Sequence, residues 1–219
     1  MPRKVLDGNS REAQRIVANM QRWGEHPWSM IEDGMIWTID PHDFTNPIKT
    51  FPKDVYLREV ADYWVKNPLL VIRKSRQLMM TWLIVYLNFW LATFHPGMAV
   101  FLQSENETKS DELVGRCDFI YSNIPDTEMA KPKLKQSRKL WCLMDYPGLH
   151  SFLKGIPQGQ NQLRQYCASS VMMDEAAFWE RGRESFMATK PTVDGGGRVT
   201  IVSSTAKGWF RDLAFDEVA

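Results

Sequence analysis

The spacing of apolar residues changes character several times along the chain. Residues 1–50 form a polar, tryptophan-containing lead-in. Within it, "SREAQRIVANMQRW" offers Ser10 as a cap and sets Ile16, Met20 and Trp23 at helical spacing. "GMIWTIDP" predicts a short strand. From Phe51 the pattern sharpens. "PKDVYLREVADYWVKN" predicts a helix with Val55, Val60, Ala61 and Trp64 on one face, ended at Pro68. The unbroken apolar run of residues 69–73, "LLVIR", predicts a strand buried on both faces. Residues 82–94 read as an apolar helix stopped by Pro96 and Gly97, and residues 98–104 as a second strand. "ETKSDELVGRCDFIYSNI" predicts a helix with Leu113, Cys117, Ile120 and Tyr121 on one side. A hairpin turning near Tyr146, Pro147 and Gly148 follows. Then come a strand within residues 169–179 that ends in the two carboxylates Asp174 and Glu175, a helix over 183–189, and a strand at 199–203.

Strands alternating with helices predict an α/β domain over 51–219 with a mainly parallel sheet, preceded by the lead-in of 1–50. Composition adds little: 219 residues, 44% hydrophobic, 24% charged and a net charge of +1 describe an ordinary globular chain. Any nucleic-acid site must then be a local patch. Residues 131–139, "KPKLKQSRK", with five basic residues and no acid, are one candidate, or simply a solvated loop. Cys117, Cys142 and Cys167 lack the spacing of a zinc site and suit a reducing compartment. The first residues contain no apolar signal core, and the run at 82–94 is too short for a membrane span. The expectation is a soluble intracellular protein.

In parallel sheets, ligands bind beyond the carboxyl ends of the strands. Three polar clusters fall at such ends. The first, "KSRQLMMT" over residues 74–81, follows a strand and precedes a helix, like the phosphate loop G-x-x-x-x-G-K-[ST]. Thr81 stands at its final position, but Met79 and Met80 replace the Gly-Lys pair. Alone, this stretch also reads as a basic turn. In the second cluster, "VMMDEAAFW", Asp174 can hold Mg²⁺ and Glu175 can polarise a water. The same pair also reads as acidic residues opening a helix. In the third, "TIVSSTAKG", Ser203, Ser204 and Thr205 can sense a terminal phosphate or form a plain polar turn.

Taken as a set, the order and spacing of these clusters resemble the ATPase domain of viral large terminases, the motors that pack DNA into procapsids. Ser75, Arg76, Gln77, Leu78 and Thr81 match the family's first motif. Asp174, Glu175, Ala176, Ala177 and Phe178 match its second, and Ser203 to Thr205 with Gly208 its coupling motif. The resemblance covers about residues 51–212. It implies an ASCE-type P-loop NTPase fold with a mainly parallel central sheet flanked by helices, and it implies ATP and Mg²⁺ as ligands. By that resemblance Lys74 takes the place of the missing loop lysine. Residues 74–81 (Lys74, Ser75, Arg76, Gln77, Leu78, Met79, Met80 and Thr81) cradle phosphates. Thr81 and Asp174 hold the metal, and Glu175 activates water. Ser204 and Thr205 couple nucleotide state to movement. Arg76 acts in cis. Arg164, eleven residues before Glu175, serves a neighbour's site, although Gln165 stands where the family often has glycine. Phe51 and Tyr56 lie in the region the family uses for adenine.

The implied partners are double-stranded DNA, the portal protein, the small terminase subunit and further copies in a homo-oligomeric ring of five on the procapsid, in the host cytoplasm and without a membrane. The aspartate cluster of the family's nuclease domain does not occur in this sequence. Two other readings stand beside this one. One is a helicase-class P-loop ATPase. The other is a nucleotide-binding assembly subunit weakened by Met79 and Met80, a residue pair that leaves the loop without its usual glycine and lysine.

Overall fold

The computed structural model describes residues 11–75, 78–136, 142–159, 161–163 and 166–215. The lead-in folds as helix α1 (Arg11–Glu25), a short helix α2 (Trp28–Glu32) and a hairpin of β1 (Trp37–Ile39) and β2 (Ile48–Thr50). Its apolar residues serve the core of the rest of the chain. Trp23, Trp28, Met30, Ile31 and Ile36 are buried in one cluster with the apolar helix that follows. Buried polar groups tie the two together, because each must find a partner. Trp90 Nε1 donates to the Trp23 carbonyl at 2.6 Å and the Tyr86 hydroxyl to the Pro27 carbonyl at 2.5 Å.

Helix α3 (Val55–Lys66) leads into β3 (Leu69–Lys74), followed by α4 (Met80–Phe94), β4 (Ala99–Ser104) and α5 (Glu107–Asn123). Then come β5 (Lys135–Gln136), β6 (Leu143–Tyr146), β7 (Ser151–Pro157), β8 (Ser170–Asp174), a 3₁₀ turn (Ala176–Phe178), α6 (Gly182–Asp194), β9 (Arg198–Ser204) and α7 (Trp209–Ala214). The seven-stranded sheet has the order β3-β9-β8-β4-β7-β6-β5. Its first five strands are parallel, and the β5–β6–β7 end is antiparallel. Eleven of the fifteen residues of α4 are buried, so this helix is wrapped on all sides by the sheet, α3 and α5. Helices α6 and α7 pack with β9, β8 and β3 around a second apolar cluster. No helix among the described residues is long and apolar enough to cross a membrane.

The fold agrees with the expected mainly parallel sheet flanked by helices and departs from the pattern in three places. Val55 is exposed, and α3 buries Leu57, Ala61 and Trp64 instead. Strand β3 is not buried on both faces. It is an edge strand whose residues are partly or wholly exposed, Leu69 among them. The partner strand β2 carries no apolar alternation, and two of its three residues face solvent. The order also has a consequence for chemistry. Strand β9 lies between β3 and β8, so the three polar strand ends are neighbours. Lys74 is in register with Ser204, and Asp174 with Val202.

Candidate nucleotide site

Six residues from four elements meet beyond these strand ends. Lys74 closes β3 and extends its ammonium to Glu175, just past β8, with Nζ–Oε1 at 2.5 Å. The Lys74 side chain is only 10% exposed and that of Glu175 37%, so the pair is shielded on the lysine side. The end of β9 holds the other flank of the carboxylate. The Ser204 backbone N–H donates to Oε2 at 2.9 Å, and the Ser203 and Ser204 hydroxyls each lie 3.3 Å from a carboxylate oxygen. Burial pushes the Glu175 carboxyl up, but the Lys74 ammonium, the Ser204 N–H and the Ser203 hydroxyl outweigh it and hold the group below its ordinary value. Glu175 is therefore an oriented carboxylate.

Asp174 behaves in the opposite way. Burial raises its carboxyl above the ordinary value, and the Thr81 hydroxyl and the charge of Arg116 oppose this without cancelling it. Thr81 Oγ1, in the first turn of α4, donates to Asp174 Oδ1 at 2.9 Å. A hydroxyl and a carboxylate facing each other are hard oxygen donors, the pair through which Mg²⁺ is commonly held when phosphates and waters complete its shell. The residues present therefore fit that ion.

Between Lys74 and Thr81 the chain turns through Met79, whose φ of 55° and ψ of 7° are left-handed, a conformation that glycine tolerates best. Met79 occupies the N-cap of α4, and its side chain makes no capping hydrogen bond there. The backbone N–H groups of the first turn are left for an outside acceptor, as helix N-termini offer to anions. Met80 is 5% exposed and packed in the core, so this position offers the site a backbone N–H and no side chain. Lys74, and not position 80, thus brings an ammonium into contact with Glu175.

The other expected positions divide. Ser75 and Leu78 flank the turn at the surface, and the Tyr56 hydroxyl lies 3.5 Å from the Leu78 carbonyl, beside the loop. Phe51 is buried in the core and is not free to stack on a ligand. Thr205 lies one residue beyond β9 and is exposed, whereas Ser203 sits at the carboxylate. Arg76, Gln77 and Arg164 lie outside the described residues. In the basic stretch, Lys131 is engaged with the end of α5: its ammonium donates to the Ile124 carbonyl at 2.8 Å and pairs with Asp126. The sequence places Ser203 in the third polar cluster but gives the coupling role to Ser204 and Thr205, and it gives no role to Arg116. Arg116 lines a crevice of about 430 Å³ together with Asp174, Glu175 and Ser204. An arginine on an amphipathic helix carries no motif, so no local signal marks it.

The parallel sheet, the helix start after an edge strand and the acidic pair on a neighbouring strand make up an α/β domain with the fold of a P-loop NTPase. No protein-family model matches the sequence, and no curated protein matches it. Among solved structures, the fold is similar to that of phage large terminases. A mutant large-terminase ATPase domain from Thermus phage P74-26 superimposes with a TM-score of 0.57 at 17% identity, over 74% of this chain and 69% of that one. The large terminase of bacteriophage HK97 superimposes with a TM-score of 0.65 at 13% identity, over 89% of this chain and 40% of that one. At such identities the likeness is one of fold, and this chain spans less than half of the HK97 protein.

Proposed function

We propose that this chain is the ATP-hydrolysing motor domain of a phage large terminase, driving double-stranded DNA into a procapsid. The observation that carries the reading is the ion pair of Lys74 with Glu175, set beside the Thr81–Asp174 pair at the start of α4. Phosphoryl transfer asks a protein mainly for positioning and charge neutralisation. The first-turn N–H groups of α4 bind phosphate oxygens. Lys74 turns its ammonium from Glu175 toward the β/γ-phosphates. That movement frees the Glu175 carboxylate, still held by Ser203 and the Ser204 N–H, to orient the attacking water and accept its proton. Thr81 and Asp174 would hold Mg²⁺, which would supply neutralisation of the phosphate charge. Arg76, in the same loop, is assigned to the γ-phosphate in cis. Arg164 is assigned to a neighbouring subunit's site, because a guanidinium binds phosphate oxygens in pairs. Ser204 and Thr205 transmit the nucleotide state to the body of the domain.

The same reading assigns the small terminase subunit, the portal protein and a homo-oligomeric ring, a pentamer by the family resemblance, as partners, with the procapsid in the host cytoplasm as the place of work. A second reading, a nucleotide-binding assembly subunit with weakened hydrolysis, draws on Met79 and Met80. Turnover and nucleotide binding by wild type, Lys74→Ala and Glu175→Gln, alone and with the packaging partners, separate the two. The motor reading expects Glu175→Gln to bind nucleotide and lose turnover by about a hundredfold or more, the usual scale for removing a general base. It expects Lys74→Ala to lose both. Equal turnover in Lys74→Ala and wild type sinks the displaced-lysine assignment, and binding without turnover in any setting favours the second reading.

A further inference from the structure

We propose that Arg116 is a positioning residue for the Thr81–Asp174 pair, an inference that rests on reading the strand-end cluster as a nucleotide–metal site. Arg116 and Phe119 lie three residues apart on α5, hence on one face of that helix. Both grip the indole of Trp82. The Arg116 guanidinium stands over the ring at 5.3 Å, and Phe119 meets it edge-on with centroids 6.1 Å apart. Trp82 is the residue after Thr81, in the first turn of α4. Helix α5 therefore clamps the turn that carries the metal-facing hydroxyl. The same guanidinium lines the crevice into which Asp174 and Glu175 open.

A second observation separates Arg116 from an ordinary packing arginine. Its Nη1 is buried and has no hydrogen-bond partner among the described residues. A buried donor on a cation without an acceptor is costly and is seldom retained without use. In the loaded site that N–H is met by the Asp174 carboxylate, directly or through one water, since Thr81 already occupies one Asp174 oxygen. Arg116 then fixes both halves of the metal-holding pair, the hydroxyl through Trp82 and the carboxylate through charge and hydrogen bonding. It touches neither nucleotide nor metal.

The test is the affinity of a fluorescent methylanthraniloyl-ATP, measured with Mg²⁺ and with EDTA, for wild type, Arg116→Ala, Arg116→Lys and Trp82→Leu. Thermal melting without nucleotide checks that each variant is folded. Arg116→Ala is expected to reduce the Mg²⁺-dependent gain in affinity by about tenfold, an amount equal to one good charged contact, and to leave the EDTA affinity unchanged. Arg116→Lys keeps the charge and recovers part of the gain, and Trp82→Leu loses it in the same direction. A full Mg²⁺ gain in Arg116→Ala overturns the proposal alone. So does an equal loss with and without Mg²⁺, which would mean a general structural role or direct nucleotide contact. If wild type binds no nucleotide under either condition, the proposed function fails and takes this inference with it.

Discussion

Two turns in the site share a backbone conformation and little else. Met79, before α4, has φ 55°, and Glu175, after β8, has φ 54°, both left-handed and neither glycine. Such a conformation costs about 1–2 kcal/mol per residue for an L side chain. At Glu175 the surroundings hold it in place. Its N–H donates to the Val202 carbonyl at 2.7 Å, and its carboxylate is held by Lys74, Ser203 and Ser204. Strain of this kind aims a reactive group and is maintained by many partners. Among the described residues, Met79 has no comparable set of polar partners. Its side chain leans on the core, and its carbonyl accepts from the Leu83 N–H as any first-turn residue would. The contrast teaches that one turn is built around a functional side chain, while the other is a glycine position whose occupant is tolerated by packing.

The strongest break in that comparison comes from putting the usual loop lysine back. Met80 faces the core, so Met80→Lys would bury an ammonium without a partner. The expected cost is about 3 kcal/mol, the scale of an uncompensated buried charge, read from urea or thermal unfolding. The double variant Lys74→Ala/Met80→Lys is expected to remain without turnover. Recovery of hydrolysis in the double variant would mean that position 80 can turn outward to phosphate, and the comparison of a functional turn with a tolerated one would collapse.

How much of this could be read in the sequence depends on what sets each feature. The strand runs at 69–73, 99–104 and 199–203 are visible because apolar runs and their breakers are local. That β3 is an edge strand is not local, since the run "LLVIR" reads the same beside one neighbour or two. Leu57, Ala61 and Trp64 stand at i, i+4 and i+7 and form the buried stripe of α3, and Val55 lies off that stripe although it is apolar. The chemistry followed the same divide. Lys74, Thr81, Asp174 and Glu175 were nameable from motif order. The 2.5 Å contact between residues 101 positions apart is set by the register of β3 on β9, which no spacing encodes. Arg116 was illegible because its place beside Trp82 and Asp174 comes from which helix packs on which turn.

A smaller effect sharpens the Glu175 side. Its carboxyl is held below the ordinary value of 4.5, so its contribution to stability is present above that value and lost as pH falls through the folded one. Lys74→Met removes the largest of the opposing groups and leaves burial to push the carboxyl up. The variant is therefore expected to melt below wild type at neutral pH, with the gap narrowing as the medium is acidified below the carboxylate range. Melting temperatures of both proteins from about pH 3 to about pH 7 check this. A gap that stays constant with pH would show that Lys74 contributes by packing and not by charge.

The smallest effect tests the backbone premise itself. Comparing Met79→Gly with Met79→Ala removes the same side-chain packing in both variants and leaves the left-handed φ as the main difference. Glycine is expected to be the more stable of the two by about 1 kcal/mol, against its usual disadvantage elsewhere. Glu175→Gly against Glu175→Ala is expected to show a similar preference, because the φ values differ by one degree. The two pairs then diverge in function: the Met79 variants retain the lysine and both carboxylates, whereas the Glu175 variants lose the carboxylate to which water activation is proposed to fall. If alanine equals glycine at position 79 while glycine wins at 175, the loop turn relaxes out of the left-handed region once methionine is gone. The strain there would then be imposed by the packing of the Met79 side chain on the core, and not by the course of the phosphate loop.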